Sequence, residues 1–200
     1  MKIKKTVTLI NVGNFNKTPA FKTIMDHISV AISSIENPPG SGSFTLYPVK
    51  KANGVKPIKD AFNQKLEQLG WEREARVDVA VTTKWPGPID AAYPVGKKYF
   101  AAEWETGNIS SSHRAINKIV VGILQNVLIG GVVVLPSRKM YQYLTDRVGN
   151  FQELEPYFPV WKSANYDIEE GIVQIIEIEH DSESMDVPAI PKGTDGRALR

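Results

Sequence analysis

The sequence predicts an α/β domain, a mixed central β-sheet with helices on both faces. Three observations lead there. Apolar residues recur at helical spacing in three separate stretches, around Ile24, Phe62 and Ile119. Between the second and third the period drops to two: Val77, Val79 and Val81 alternate with Asp78, Ala80 and Thr82. The middle of the chain then runs strand, strand, helix, strand, helix.

In chain order, Thr6 to Ile10 reads as a short strand. Thr18-Pro19 is a helix start, with Thr as N-cap and Pro in the first turn. Phe21, Ile24, Met25, Ile28, Ile32 and Ile35 continue that helix until Pro38-Pro39 stops it. Gly40 to Ser43 reads as a loop, and Ile58, Phe62, Leu66 and Leu69 line a second helix ended by Gly70. The alternation from Val77 is a strand, followed by a turn at Trp85-Pro86-Gly87-Pro88 and a strand from Lys98 to Glu105. Ser110 to Ser112 cap a helix from about His113 to Val127, with Ile116, Ile119, Val120, Ile123 and Leu124 inward. Val132 to Leu135 reads as a fully buried strand, Arg138 to Arg147 as helix, and Asn150 as the cap of another short helix. Gly171 to His180 is a long strand, and residues 182–200 form an irregular tail rich in Pro, Gly and Asp. A length of 200 residues suits one domain spanning 1–200 with a core that needs no staples.

Composition narrows the chemistry. With no cysteine and only three scattered histidines, His27, His113 and His180, thiolate and zinc sites are excluded. Any metal is expected to be a hard cation on carboxylate oxygens, such as magnesium. No apolar run approaches the roughly 18 residues that span a bilayer, and the basic N-terminus lacks the rest of a signal peptide. A cytoplasmic protein with no membrane partner is expected. A formal net charge of +2 does not by itself indicate nucleic acid, so DNA binding has to be argued from particular residues.

The informative group is acidic. Asp90 precedes Glu103 by thirteen residues, and Glu105 follows two further on. Residues two apart on a strand share a face, so Glu103 and Glu105 project together, and a turn-plus-strand hairpin would bring Asp90 beside them. Three adjacent carboxylates raise one another's pKa values, a cost that a bound divalent cation removes. Phosphodiester cleavage uses such a cation to polarise the phosphate and activate water, with a nearby carboxylate taking the proton. The same residues also fit an exposed strand face and a turn.

The surrounding residues resemble a known family. Pro88-Ile89-Asp90 followed by Ala102-Glu103-Trp104-Glu105 has the layout of the restriction-nuclease core, Pro-Asp then Asp/Glu-x-Lys, with Glu105 at the lysine position as in one subgroup. The run from Glu103 to Arg114 resembles the catalytic strand and following helix of BamHI-type type II restriction endonucleases. Tyr143 to Val148, Asn150 to Phe158, Val187 to Gly196 and Asn53 to Lys59 resemble further segments of that family, in the same order. The match spans patches from about residue 53 to 196. The first fifty residues match poorly, and the chain ends at Arg200 without the family's C-terminal arm.

The resemblance implies a restriction-endonuclease-like fold and cleavage of the palindrome GGATCC after its first G, leaving four-base 5′ overhangs. One or two magnesium ions per site are implied at Asp90 and Glu103, with the Trp104 carbonyl as a further ligand. Glu105 is the implied general base, and Glu74 falls where the family has another active-site and metal-binding carboxylate.

Base reading needs major-groove donors and acceptors. Arg suits guanine and Asp accepts from cytosine, and Asp146-Arg147 supplies both together. The resemblance places that pair on an outer G·C base pair; a helix end with Arg147 on its dipole is the plainer alternative. Asn108, Ser110 and Arg114 follow the catalytic strand closely, so reading and cutting would be coupled. By resemblance, Lys59 matches a lysine near the DNA, and Gly193 and Asp195 match a tail segment near the minor groove.

A palindrome read by one domain implies a twofold dimer. The family builds it from helices like Asn117–Val127 and Lys139–Tyr143. A bacterial host would also carry a DNA methyltransferase, not stably bound to this chain. Two other readings remain: a repair or junction nuclease on the same core, and a non-catalytic DNA-binding regulator.

Overall fold

The computed structural model describes residues 1–75, 88–145 and 148–193. The expected strand at Val77 to Val81, most of the turn before Pro88, and Asp146, Arg147 and Asp195 lie outside the described residues.

The strands are β1 (Lys2–Val12), β2 (Thr45–Leu46), β3 (Glu72–Ala75), β4 (Ile89–Val95), β5 (Lys98–Trp104), β6 (Leu128–Pro136), β7 (Gly171–Glu179) and β8 (Ser182–Glu183). Six of them form one sheet in the order β1-β7-β6-β5-β4-β3. The pairs β5-β6 and β6-β7 are parallel and the other three antiparallel, so the sheet is mixed as expected. The small strands β2 and β8 pair with each other, which ties the start of the tail to the first third of the chain.

The helices are α1 (Pro19–Ser33), α2 (Lys56–Gln68), α3 (Ile109–Leu124), α4 (Arg138–Tyr141), α5 (Phe151–Leu154) and α6 (Phe158–Lys162). They divide between the sheet faces. Ile24, Ile28 and Ile32 of α1 and Ile58, Phe62 and Leu66 of α2 share one core cluster with Phe100, Ala102 and Trp104 of β5. Ile116, Ile119 and Ile123 of α3, with Phe151 and Trp161, share the other with Ala101 of β5 and Val133 of β6. The alternation along β5 sends even-numbered residues to α1 and α2 and odd-numbered residues to α3. Glu103 therefore belongs to the α3 face. Among the described residues no helix is long and apolar enough to cross a membrane.

Several boundaries differ from the expectation, each for a local reason. The first strand extends from Lys2 to Val12, because its solvent-facing lysines and threonines pair their backbones with β7 whatever their side chains. α1 ends at Ser33, well before the prolines. The strand expected at Val132 begins at Leu128: Gly130 and Gly131 do not break it, since a Cβ on Gly130 would lie 2.5 Å from the Ile172 carbonyl oxygen. Those glycines let neighbouring strands approach. The cap of α3 is Asn108, whose side chain accepts from the Ser111 amide, rather than the serines. The helix expected over Arg138 to Arg147 stops at Tyr141, and Leu144 instead bridges to Asn53. β3 and β4 were not expected. β4 contains Ala91, Ala92 and Pro94, poor strand formers, and Pro94 is tolerated because β3 pairs only as far as Ala92.

Asn53, fully buried, joins three segments. Its Nδ2 donates to the Tyr47 carbonyl at 2.8 Å and the Tyr143 carbonyl at 3.0 Å, and its Oδ1 accepts from the Ile190 amide at 3.2 Å. Asn53→Ala leaves the Ile190 amide without its partner, while the Tyr47 and Tyr143 carbonyls keep the Val49 and residue-53 backbone amides, and is expected to cost about 2 kcal/mol. Urea unfolding checks this, and a loss under about 0.5 kcal/mol would show that the junction contributes little.

Candidate active site

The ladder between β4 and β5 runs from Val95↔Lys98 to Ala91↔Ala102. Beyond it a side chain replaces the backbone: Asp90 Oδ2 accepts from the Trp104 amide at 2.9 Å. The ring of Trp104 stacks on Phe62 of α2 at 4.9 Å between centroids, which fixes that end of β5. Glu103 projects towards α3, and Glu105 continues past the end of β5 with its amide bonded to the Val134 carbonyl at 3.1 Å. Asp90, Glu103 and Glu105 thus gather where β4 and β5 separate.

Glu103 is 5% exposed. Burial pushes its carboxyl up to about 7, against the pull of Lys118 and with a further push from Asp90. Glu105 is also raised to about 7, first by burial and then by the charges of Glu103 and Asp90, with Lys59 and Arg114 opposing. Two lysines from opposite faces of the sheet offset this negative charge. Lys59 of α2 pairs with Asp90 at 2.6 Å. Lys118 of α3 contacts Glu103 Oε1 and donates to the Pro88 carbonyl at 3.1 Å.

The donors here are carboxylate and carbonyl oxygens, the set that suits a hard divalent cation. Glu105 Oε2 is buried and has no hydrogen-bond partner among the described residues, as a donor held for a ligand would. Among those residues no three acidic or histidine side chains converge into a ready metal cage, and Asp90 and Glu103 are each engaged by a lysine instead.

The remaining expected residues divide. Glu74 on β3 lies between the pairs Arg73↔Ala91 and Ala75↔Ile89, opposite Asp90 in register, but its side chain is exposed. Its φ of 49° is one that residues other than glycine seldom adopt, a strain met most often at functional sites. Asn108, Ser110 and Arg114 are exposed at the start of α3, beside the carboxylates. Asn108 spends its side-chain oxygen on the helix cap. Gly193 is half-buried in the tail. Lys118 was not expected. Its signal was spacing: Ser110, Arg114 and Lys118 stand four apart and form one stripe of α3.

A family model described as restriction endonuclease BamHI matches residues 1–197, so the family match takes in the first fifty residues, which were expected to match poorly. The type II restriction enzyme OkrAI of Oceanobacter kriegii is 54% identical over 200 residues, covering 100% of both chains. The type II restriction enzyme BamHI of Bacillus amyloliquefaciens is 35% identical over 192 residues, covering 92% of this chain and 87% of its own. Among solved structures, restriction endonuclease BglII complexed with a DNA 16-mer superposes with a TM-score of 0.62 at 10% identity, covering 90% of this chain and 79% of that one. At that identity the likeness concerns the fold.

The raised carboxyls set a pH dependence. Folded Glu103 and Glu105 keep their protons to about 7, whereas an ordinary glutamate loses its proton near 4.5. The folded state binds more protons between those values, so their contribution to stability is full below about 4.5 and is lost as pH rises through about 7. Without metal, the Tm of Glu105→Gln should therefore fall less steeply over that window than that of the unsubstituted protein. Parallel Tm profiles would show that Glu105 titrates normally.

Proposed function

Since the chain belongs to the BamHI family of type II restriction endonucleases, we propose that it cuts both strands of GGATCC after the first G, leaving four-base 5′ overhangs. The observation that carries this reading is the meeting of Asp90 with the Trp104 amide, which sets one carboxylate beside two more.

Asp90 and Glu103 would hold magnesium, one or two ions per site, with the Trp104 carbonyl and Glu74 as further donors. When bound, the ion polarises the scissile phosphate and acidifies the attacking water. Glu105 orients that water and takes its proton at Oε2; a carboxyl raised to about 7 is matched to that task near neutral pH. Lys59 and Arg114 lie close enough to act on the charge of Glu105 and offset that of the backbone phosphates.

Sequence is read from two places. Asp146 and Arg147 take the outer G·C pair, and Asn108, Ser110 and Arg114 reach the groove from the start of α3. Gly193 and Asp195 of the tail approach the minor groove. The protein acts as a homodimer so that each half-site meets the same residues. Its bacterial host carries a methyltransferase that protects the same sequence, and the enzyme works in the cytoplasm.

Plasmids with and without a single GGATCC, incubated with magnesium and end-mapped, test the proposal. Cutting confined to the first plasmid, with 5′ GATC ends, is expected. Equal cutting of both would instead point to a repair or junction nuclease, and specific binding without any cutting to a regulator. Glu105→Lys should lose cleavage while keeping specific binding; normal turnover by this variant would remove Glu105 from the mechanism. Arg147→Ala should cost about 1–3 kcal/mol of discrimination at one guanine, read from cleavage of singly altered sites, and an unchanged preference would reject its reading role.

A further inference from the structure

We infer that Lys118 is a positioning residue: its ammonium stands in for the divalent ion on Glu103 in the metal-free protein and leaves that oxygen when the ion arrives. The inference rests on reading Glu103 as a metal ligand.

The placement of Lys118 is unlike that of a lysine serving the DNA surface. Its side chain is only 16% exposed, against 6% for its partner Glu103. Its stripe on α3 begins at the exposed Ser110 and Arg114 and descends towards the sheet, so the helix carries this charge inward. There the ammonium meets Glu103 Oε1 and the Pro88 carbonyl. It therefore bridges the segment entering β4, which bears Asp90, and the end of β5, which bears Glu103.

An ammonium in such a place loses hydration that only its acceptors return. Glu103 gains as much, since it is buried beside Asp90 and has to stay ionised to receive an ion. Lys59 makes the corresponding pair with Asp90 from the other face of the sheet. The two ligand carboxylates are thus each held by one cation of the chain, whereas Glu105 Oε2 stays unpartnered.

An ion binding through Glu103 Oε1 competes with Lys118 for the same lone pairs. Linkage then requires mutual antagonism: whatever the pair contributes to the metal-free fold is subtracted from metal affinity. In exchange, the carboxylate is oriented before the metal comes.

The test uses the full chain without DNA, titrated with manganese(II) alone at about pH 8.5, well above where the raised carboxyls titrate, and followed by the EPR signal of the free ion and by thermal melting. Lys118→Met keeps the stem and removes the charge. It should lower the metal-free Tm, bind manganese about tenfold more tightly, and recover most of the lost Tm at saturation. Lys118→Arg should bind as the unsubstituted protein does. Unchanged affinity in Lys118→Met, or a Tm deficit equal with and without metal, overturns the proposal and leaves Lys118 a structural pair. Should the methionine variant fail to fold, Nζ NMR of the unsubstituted protein decides: the Lys118 ammonium resonance moves as magnesium saturates, and a resonance that stays fixed overturns the idea. Glu103→Gln separates the two readings. Undiminished manganese binding there defeats Glu103 as a ligand; loss there with no change in Lys118→Met defeats the lysine alone.

Discussion

Burying Glu103 next to two other carboxylates is the constraint from which the site follows. A carboxylate at 5% exposure loses most of its hydration, and Asp90 and Glu105 add repulsion. A fold can tolerate that only by supplying cations or by leaving the group protonated. This chain does both: Glu103 keeps its proton to about 7, and cations come from both faces of the sheet, Lys59 from α2 and Lys118 from α3. Two helices far apart in sequence, each seated on its own apolar face, thus place one lysine each against the strands between them.

The same crossover sets the residues proposed for base reading near the carboxylates. β5 and β6 are parallel neighbours, so the chain must return through a helix, which is α3. That helix starts within a few residues of Glu105, with its cap on Asn108 and Ser110 and Arg114 exposed in its first turns. Two turns on, Lys118 returns to the carboxylates. Any shift of α3 would move Lys118 and so change the charge held against Glu103.

Much of the fold was legible because its signals are local. The helical stripes of α1, α2 and α3 and the strands β5 and β7 all appear in the sequence with their correct type. Strand periodicity singled out Glu103 and Glu105 together, although Glu105 lies past the end of β5, and motif layout added Asp90. The misses share one physical origin. β4, with its alanines and proline, is a strand because β5 and β3 pair with it. The strand expected from Val132 begins earlier because Gly130 and Gly131 are close contacts between strands. Lys118 looked like any helix lysine among apolar neighbours.

The sequence by itself determined which residues carry charge, which stretches are amphipathic and which family's motifs are present, since those properties need only spacing along one chain. Tertiary structure decided that the β4 ladder ends at Ala91, so that Asp90 bonds the Trp104 amide with its side chain. It also decided that two lysines face inward and that Asn108, not a serine, caps α3. These depend on burial and on contacts between distant segments, and the free energy of a charge is set by its surroundings in space rather than by its neighbours in sequence.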